Sequence, residues 1–421
     1  MWRVTNLCCN KRLLIMRCWQ MREARSHKSV CLVTGGFDAR HLRLQPWRYL
    51  SEVANQLRRQ GHQVTVITDG GTGETAVSDP NLHRIPSVSN PQWQKNWQLT
   101  QTIAAVQPDV VLWHIGLTSF LHQRLDPGLD VPVVGIFTSP LYEKADLARI
   151  GVRRLVVERQ LSGIHTVGTL LPKRLLRQMA SQNERLEQLV VQTHTTSYQL
   201  QKSQLSSLPI SVIAPGVDEV WKNGRSTHNT QLRQKLGYGQ SDMVVLYFGS
   251  PAPLRGLHTL IKAVQRVGTA VPALKLLILS RRHADELMAE DASLRHLLNE
   301  QTMQGRSQII SGYLAPENLV DHIAAADIVA LPFELVPSDA PLSLLEAKAL
   351  GKPVVTTQIA CLPELVADGS HYLAQPANEV SLANSLTEAV LALRANNQIK
   401  QPSVRGWQQV GVEWSQLIQT M

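Results

Sequence analysis

Five places in the 421-residue sequence put reactive or ligand-binding side chains at element ends. In the segment Leu331–Leu365, a polar loop with Ser338, Asp339 and Pro341 leads into a periodic run carrying Leu344, Leu345, Ala347 and Ala349, closed by Gly351 and Pro353. Ser343 and Glu346 stand three apart, the spacing at which an N-cap hydroxyl and an N3 carboxylate satisfy each other's backbone donors. The same carboxylate could instead accept two hydrogen bonds from a ligand's hydroxyls. A second stretch, Gly249 to Gly256, follows a buried strand and opens a helix with Leu257, Leu260, Ile261 and Val264 on one face. It has the form of an anion site: a glycine admits close backbone approach, the helix N-terminus offers unpaired N–H groups, and Arg255 supplies a planar fork. Gly35-Gly36 and His114 each end a buried strand, and Thr138-Ser139-Pro140 ends another. Parallel sheets bind ligands beyond the carboxyl ends of their strands, so these tips are candidates for a second half of the site. A plain tight turn at Gly35-Gly36 and an ordinary loop histidine at position 114 are the alternatives.

The elements that must position these groups alternate between strand and helix from Val30 onward. Val30–Thr34 reads as a buried strand, Leu50, Val53, Ala54 and Leu57 as one face of a helix that Pro46 opens and Gly61 stops, and Val64–Thr68 as the next strand. Further strands are expected at Val110–Trp113, Val131–Ile136, Leu189–Val191, Met243–Phe248, Leu276–Leu279, Ile309–Ile310, Ile328–Leu331 and Val354–Val355. Ile210–Asp218 reads as the entry to a second domain. After Asp368-Gly369 the signals are helical, at Val380–Leu393 and Trp407–Ile418. Trp93 and Trp97, four apart, are expected to pack. The pattern is α/β, with parallel sheets.

Composition narrows the class. Hydrophobic residues make up 43% and charged residues 18%, and no apolar run approaches the roughly twenty residues of a membrane-spanning helix. The net charge of +9 is concentrated: residues 1–28 carry seven basic side chains against Glu23 alone. That leader reads as disordered or as an arm for an anionic surface, and no interleaved Arg/aromatic pattern indicates nucleic acid. Five cysteines include no C-x-x-C pair or zinc spacing, which points to a reducing compartment.

These motifs resemble those of retaining GT-B glycosyltransferases of the family 4 type, the group 1 glycosyltransferases. Glu346-Ala347 and Gly351-Lys352-Pro353-Val354-Val355 match the family's second glutamate and its Gly-x-Pro-Val-Val stop. The first glutamate of that motif falls at Ser338, with Asp339 the nearest acid. Where the family carries Gly-Arg and, five residues on, Lys-Gly, this chain has Gly249-Ser250 and Arg255-Gly256, one cation in place of two. The resemblance spans about residues 30–420. It implies two Rossmann-like domains facing a central cleft, at 29–205 and 206–400, with a C-terminal helix over 401–421 crossing back to the first domain. It places Gly249, Ser250, Arg255 and Gly256 at a donor diphosphate, Tyr313 and Leu314 at the base, and Leu342, Ser343 and Glu346 on the ribose side. Ser338, Asp339 and His114 would face the transferred sugar as the catalytic group, and Gly35, Gly36, His114 and Ser139 the acceptor. The implied reaction moves a sugar from a nucleotide-diphosphate-sugar donor to a saccharide or lipid-linked acceptor with retention, without cofactor or metal, in glycan or cell-envelope polysaccharide synthesis. The implied setting is cytoplasmic, with peripheral contact to the anionic inner face of a membrane and no nucleic-acid partner. A catalytically weak GT-B partner or scaffold and a GT-B sugar-nucleotide epimerase are the alternatives; a nicotinamide enzyme is disfavoured by the lack of a full glycine fingerprint.

Overall fold

The computed structural model describes residues 27–421 apart from 71–76, 78, 80, 86, 87, 89–96, 116–128, 158–183, 203–207, 224–228, 250, 282–290 and 396–401. Most of the basic leader, Trp93 and Ser250 therefore lie outside the described residues. The strands form two separate sheets. The first comprises β1 (Ser29–Val33), β2 (Gln63–Thr68), β3 (Leu82–Arg84), β4 (Val110–His114), β5 (Val133–Ile136), β6 (Leu186–Val191) and β7 (Ile210–Val212), in the order β3-β2-β1-β4-β5-β6-β7. The second comprises β8 (Met243–Gly249), β9 (Leu274–Ser280), β10 (Ser307–Ser311), β11 (Ile328–Ala330), β12 (Val354–Thr357) and β13 (His371–Ala374), in the order β10-β9-β8-β11-β12-β13. Every pairing between these strands is parallel.

Parallel sheets carry crossover helices on both faces, so their central strands are apolar throughout. Val30, Cys31, Leu32 and Val33 are fully buried, as are Val244, Val245 and Leu246. The order reverses beside β1 in one sheet and beside β8 in the other, and such switch points open a crevice at the carboxyl ends of the strands. Thr34 and His114 stand at the first crevice, Gly249 and the loop after β11 at the second. The expected α/β architecture of two Rossmann-like lobes is present.

The helix Trp407–Gln419 returns to the first lobe, as the resemblance implied. It buries Trp407, Val410, Trp414 and Ile418 in one core with Tyr49, Leu50 and Val53 of the helix Trp47–Arg59. The Trp414 indole N–H donates to Tyr49 Oη at 3.0 Å, and that hydroxyl donates to the Ile213 carbonyl at 2.8 Å, so the buried polar tips are paired. Burial of each large apolar side chain here stabilises by about 1.5–3 kcal/mol.

Several sequence expectations need correction. Ile210–Val212 pairs with β6 and completes the first sheet, so it is not the entry to the second lobe. β3 and β13 are three and four residues long, and their mixed polar sequences give no period-2 signal. Trp97 is 64% exposed, because the helix Trp97–Val106 turns Leu99 and Ile103 to the core instead. No capping box forms at Ser343 and Glu346: the helix starts at Leu342 with Pro341 as N-cap and no side-chain cap bond, which puts Glu346 in the second turn. No described helix is long and apolar enough to cross a membrane.

Candidate functional site

The second-lobe half of the crevice is built from the ends of β8, β10 and β11. Gly249 closes β8 at φ 132°, a backbone conformation that L side chains rarely adopt, and a Cβ there would meet nothing within 4 Å. Gly256 sits at φ 79° as N-cap of the helix Leu257–Ala270, and a Cβ there would lie 1.9 Å from the Pro332 carbonyl oxygen. Only glycine lets this helix start so close to the loop after β11. The two loops are tied further by Glu334 and Leu335, whose N–H groups both donate to the Leu254 carbonyl, at 3.0 and 2.9 Å. Arg255 is half-buried, and its guanidinium lies 5.7 Å from the Phe333 ring centre. It makes no ion pair or side-chain hydrogen bond among the described residues, and burial lowers its pKa. A cation held at a helix N-terminus without a carboxylate is a receptor for an anion.

Glu346 faces the same crevice, partly buried. Burial lifts its carboxyl to about 7; Arg281 and Arg48 pull it down and Asp218 pushes it up. Arg48 belongs to the first lobe and pairs with Asp218 at 2.6 Å and Glu52 at 3.1 Å. Tyr313 is 61% exposed at the β10 turn, with Arg43 of the first lobe 4.7 Å over its ring. Leu314 packs into the second-lobe core, whereas Leu342 packs against that of the first. Ser343 is half-buried beside it.

Across the crevice, His114 at the end of β4 sits between two hydroxyls, with Nδ1 3.1 Å from Thr34 Oγ1 and Nε2 3.2 Å from Thr138 Oγ1. Burial depresses its pKa to about 4. The ring is neutral at pH 7 and can donate or accept but not act as a cation. Gly36 lies at φ 68°; its N–H donates to Asp69 at 2.7 Å, and the Gly35 carbonyl accepts the Trp47 indole N–H at 2.8 Å. Ser139 is half-buried next to Thr138.

Asp339, expected to face the sugar, points into the joint between the lobes instead. It is fully buried, and its carboxylate accepts from Gln192 N–H at 2.9 Å and from the Thr193 and Thr196 hydroxyls, both at 2.6 Å. Its own N–H donates to the Thr138 carbonyl at 2.8 Å. All of these partners are in the first lobe, which turns the side chain away from the crevice. Burial raises its carboxyl to about 7 against the pull of the three hydrogen bonds. Ser338, next to it, is 5% exposed. A second acid, Glu364, grips the same turn: it accepts from His194 N–H at 2.8 Å and from Thr195 N–H and hydroxyl, both at 2.7 Å. Tyr142 Oη completes the joint, donating to the Val336 carbonyl at 3.1 Å and accepting its N–H at 2.9 Å.

The sequence reading passed over Arg48, Arg43 and Gln192. Gln192 is the notable omission: it is 1% exposed at the crevice end of β6, and neither polar atom of its side-chain amide has a partner among the described residues. The run Gln192-Thr193-His194-Thr195-Thr196 was a signal, since five polar residues directly after a buried strand need partners somewhere. The partners lie 143 to 170 positions away, beyond any local spacing rule.

Residues 47–220 match the Glycosyltransferase Family 4 model and residues 242–392 the Glycosyl transferases group 1 model. D-inositol 3-phosphate glycosyltransferase of Corynebacterium glutamicum is 31% identical over 161 residues, 38% of each chain. Lipopolysaccharide 1,2-N-acetylglucosaminetransferase of Salmonella typhimurium is 25% identical over 201 residues, 47% of this chain and 51% of that one. The alignments thus span between about two fifths and half of these relatives' length. Among solved structures, Anabaena HepE in complex with UDP-glucose superposes with a TM-score of 0.63 at 14% identity, covering 94% of this chain and all of that one, a likeness of fold. With two family models matched in lobe order and two parallel sheets facing across a crevice, the chain belongs to the group 1, family 4 type glycosyltransferases of GT-B fold.

Proposed function

We propose that the protein transfers a glycosyl unit from a nucleoside-diphosphate sugar to an acceptor hydroxyl, with retention of configuration, in glycan or cell-envelope polysaccharide synthesis. The observation that carries this is Arg255: a half-buried guanidinium without a carboxylate partner among the described residues, at the N-terminus of a 14-residue helix. Glu346, standing in the same crevice and released from any capping role, supplies a carboxylate for the ribose hydroxyls. Tyr313 and Leu314 border the base, and Gly249 gives the backbone room to approach the phosphates. Negative charge grows on the diphosphate as the glycosidic bond breaks. Arg255 and the helix N–H groups are already oriented toward it, so the transition state gains more than the ground state. This stabilisation uses no metal. His114, neutral and fixed by Thr34 and Thr138, offers a hydrogen bond to the sugar or acceptor beside Gly35, Gly36 and Ser139. Ser338 lies nearest the sugar in place of the family's first glutamate, and Asp339 sets its position from behind. The chain works in the cytoplasm in this reading, its basic leader touching anionic lipid.

Melting the protein with UDP, GDP, ADP and CMP tests the donor half. A bound nucleotide at about a hundred times its Kd stabilises by about 2.7 kcal/mol. Arg255→Ala should weaken the nucleoside diphosphate at least about tenfold and spare the nucleoside, since charge-assisted hydrogen bonds contribute about 1.5–3 kcal/mol. Equal loss for both ligands, or no binding of any nucleotide by the parent, would remove the donor site from this crevice.

A further inference from the structure

On the far side of the Asp339 joint the seam between the lobes opens into a groove of about 570 Å³, lined among others by Glu143, Asp146, His194, Tyr198, Gln358 and Glu364. The joint is its back wall: Glu364 holds His194 and Thr195, and the flanking Thr193 and Thr196 hydroxyls serve Asp339. Neither Arg255 nor Glu346 is among the described residues that line it. We propose that this groove is a saccharide subsite that holds a neutral or amino sugar unit of an oligosaccharide acceptor and rejects phosphorylated polyols. The proposal rests on the glycosyltransferase reading above and adds the acceptor class.

Three features carry it. Tyr198 is 58% exposed and offers a ring to the C–H face of a sugar, while the carboxylates of Glu143 and Asp146 and the Gln358 amide offer paired acceptors and donors to its hydroxyls. The volume lies within the roughly 300–1,000 Å³ of small-molecule sites. Among the described residues the lining holds no lysine or arginine. The cations nearby are already engaged, Arg149 with Asp146 at 3.2 Å and Lys202 with Glu143 at 3.6 Å. Among the described residues a phosphate would meet three carboxylates without a free counter-charge, whereas hydroxyls and ammonium groups find acceptors. Burial raises Asp146 above its ordinary value against the pull of Arg149. The corynebacterial relative's name specifies a phosphorylated acceptor; this groove is built for a different one.

Saturation-transfer NMR on the full-length protein with cellobiose, glucosamine and D-inositol 3-phosphate tests the assignment, with nucleotide affinity measured in parallel. Cellobiose or glucosamine should bind, and Tyr198→Ala and Asp146→Asn should each weaken that binding at least about tenfold while nucleotide affinity stays unchanged. Tyr198→Ala removes an exposed ring and should leave the melting temperature in place. Absence of sugar binding, sugar binding indifferent to both variants, or D-inositol 3-phosphate binding that Tyr198→Ala abolishes would each overturn the subsite. Loss of nucleotide binding in the parent would count against the donor reading and is scored separately from the groove.

Discussion

The buried carboxyl of Asp339 makes the joint between the lobes sensitive to pH, and the sense of that dependence follows from its surroundings. In the folded chain the group titrates at about 7 against an ordinary 3.8, with burial the leading cause and the Thr193, Thr196 and Gln192 hydrogen bonds opposing it. A carboxyl whose folded pKa is raised stabilises the fold in its protonated form. That contribution is complete below about pH 4 and is lost as pH rises through about 7. Three pH units at about 1.4 kcal/mol each come to on the order of 4 kcal/mol between the extremes. Asp339→Asn is neutral throughout and nearly isosteric. Its carbonyl oxygen can still accept from both threonine hydroxyls, but its NH₂ meets the Gln192 N–H, a donor facing a donor, at a cost of about 1–3 kcal/mol. Urea unfolding at pH 5.5, 6.5, 7.5 and 8.5 should therefore show the parent ahead of the variant at pH 5.5, with the gap closing or reversing by pH 8.5. Glu346 and His114 also titrate between pH 4 and 7 but are common to both proteins, so the difference between the two curves isolates position 339. Parallel curves across the whole range would show that the carboxyl stays ionised in the joint and would refute the argument from burial.

Two further substitutions probe the crevice directly. Glu346→Gln should lower affinity for the nucleotide sugar by about 1 kcal/mol or more at pH 8 with little change in melting temperature, because glutamine accepts at one oxygen only. The parent's affinity should fall toward the variant's as pH drops through about 7, where Glu346 protonates; identical titrations of binding would move the ribose contact elsewhere. Gly256→Ala combines a left-handed backbone with a Cβ 1.9 Å from the Pro332 carbonyl oxygen and should cost about 2–4 kcal/mol, read by denaturant midpoint. A cost below about 1 kcal/mol would mean that the loop after β11 yields, and that the helix start is not fixed by this contact.

How much of this was legible in the sequence depends on how far apart the interacting residues lie. Strands such as Val30–Val33 and Met243–Phe248 are buried on both faces, so they announce themselves as apolar runs with glycine at the end, and the two-sheet architecture follows from their alternation with helices. The anion-binding form at Gly249–Gly256 is equally local, since a glycine, an arginine and a helix start within eight residues determine each other's geometry. Asp339 is the contrary case. Its composition and position beside Ser338 fit a group turned to the sugar, and nothing within twenty residues competes for its carboxylate. Its three donors lie in the other lobe and become visible only when the two sheets face each other. The capping assignment for Ser343 and Glu346 failed for a local reason: the spacing rule counts from the serine, whereas Pro341 starts the helix two residues earlier. That shift of register strengthens the candidate site, because a carboxylate in the second turn of a helix at the crevice has no backbone donor to satisfy. Chemistry at the crevice therefore has to be assigned from what each polar group lacks. Arg255 lacks an anion and Gln192 lacks both partners among the described residues, while Asp339, the acid that sequence favoured, lacks nothing.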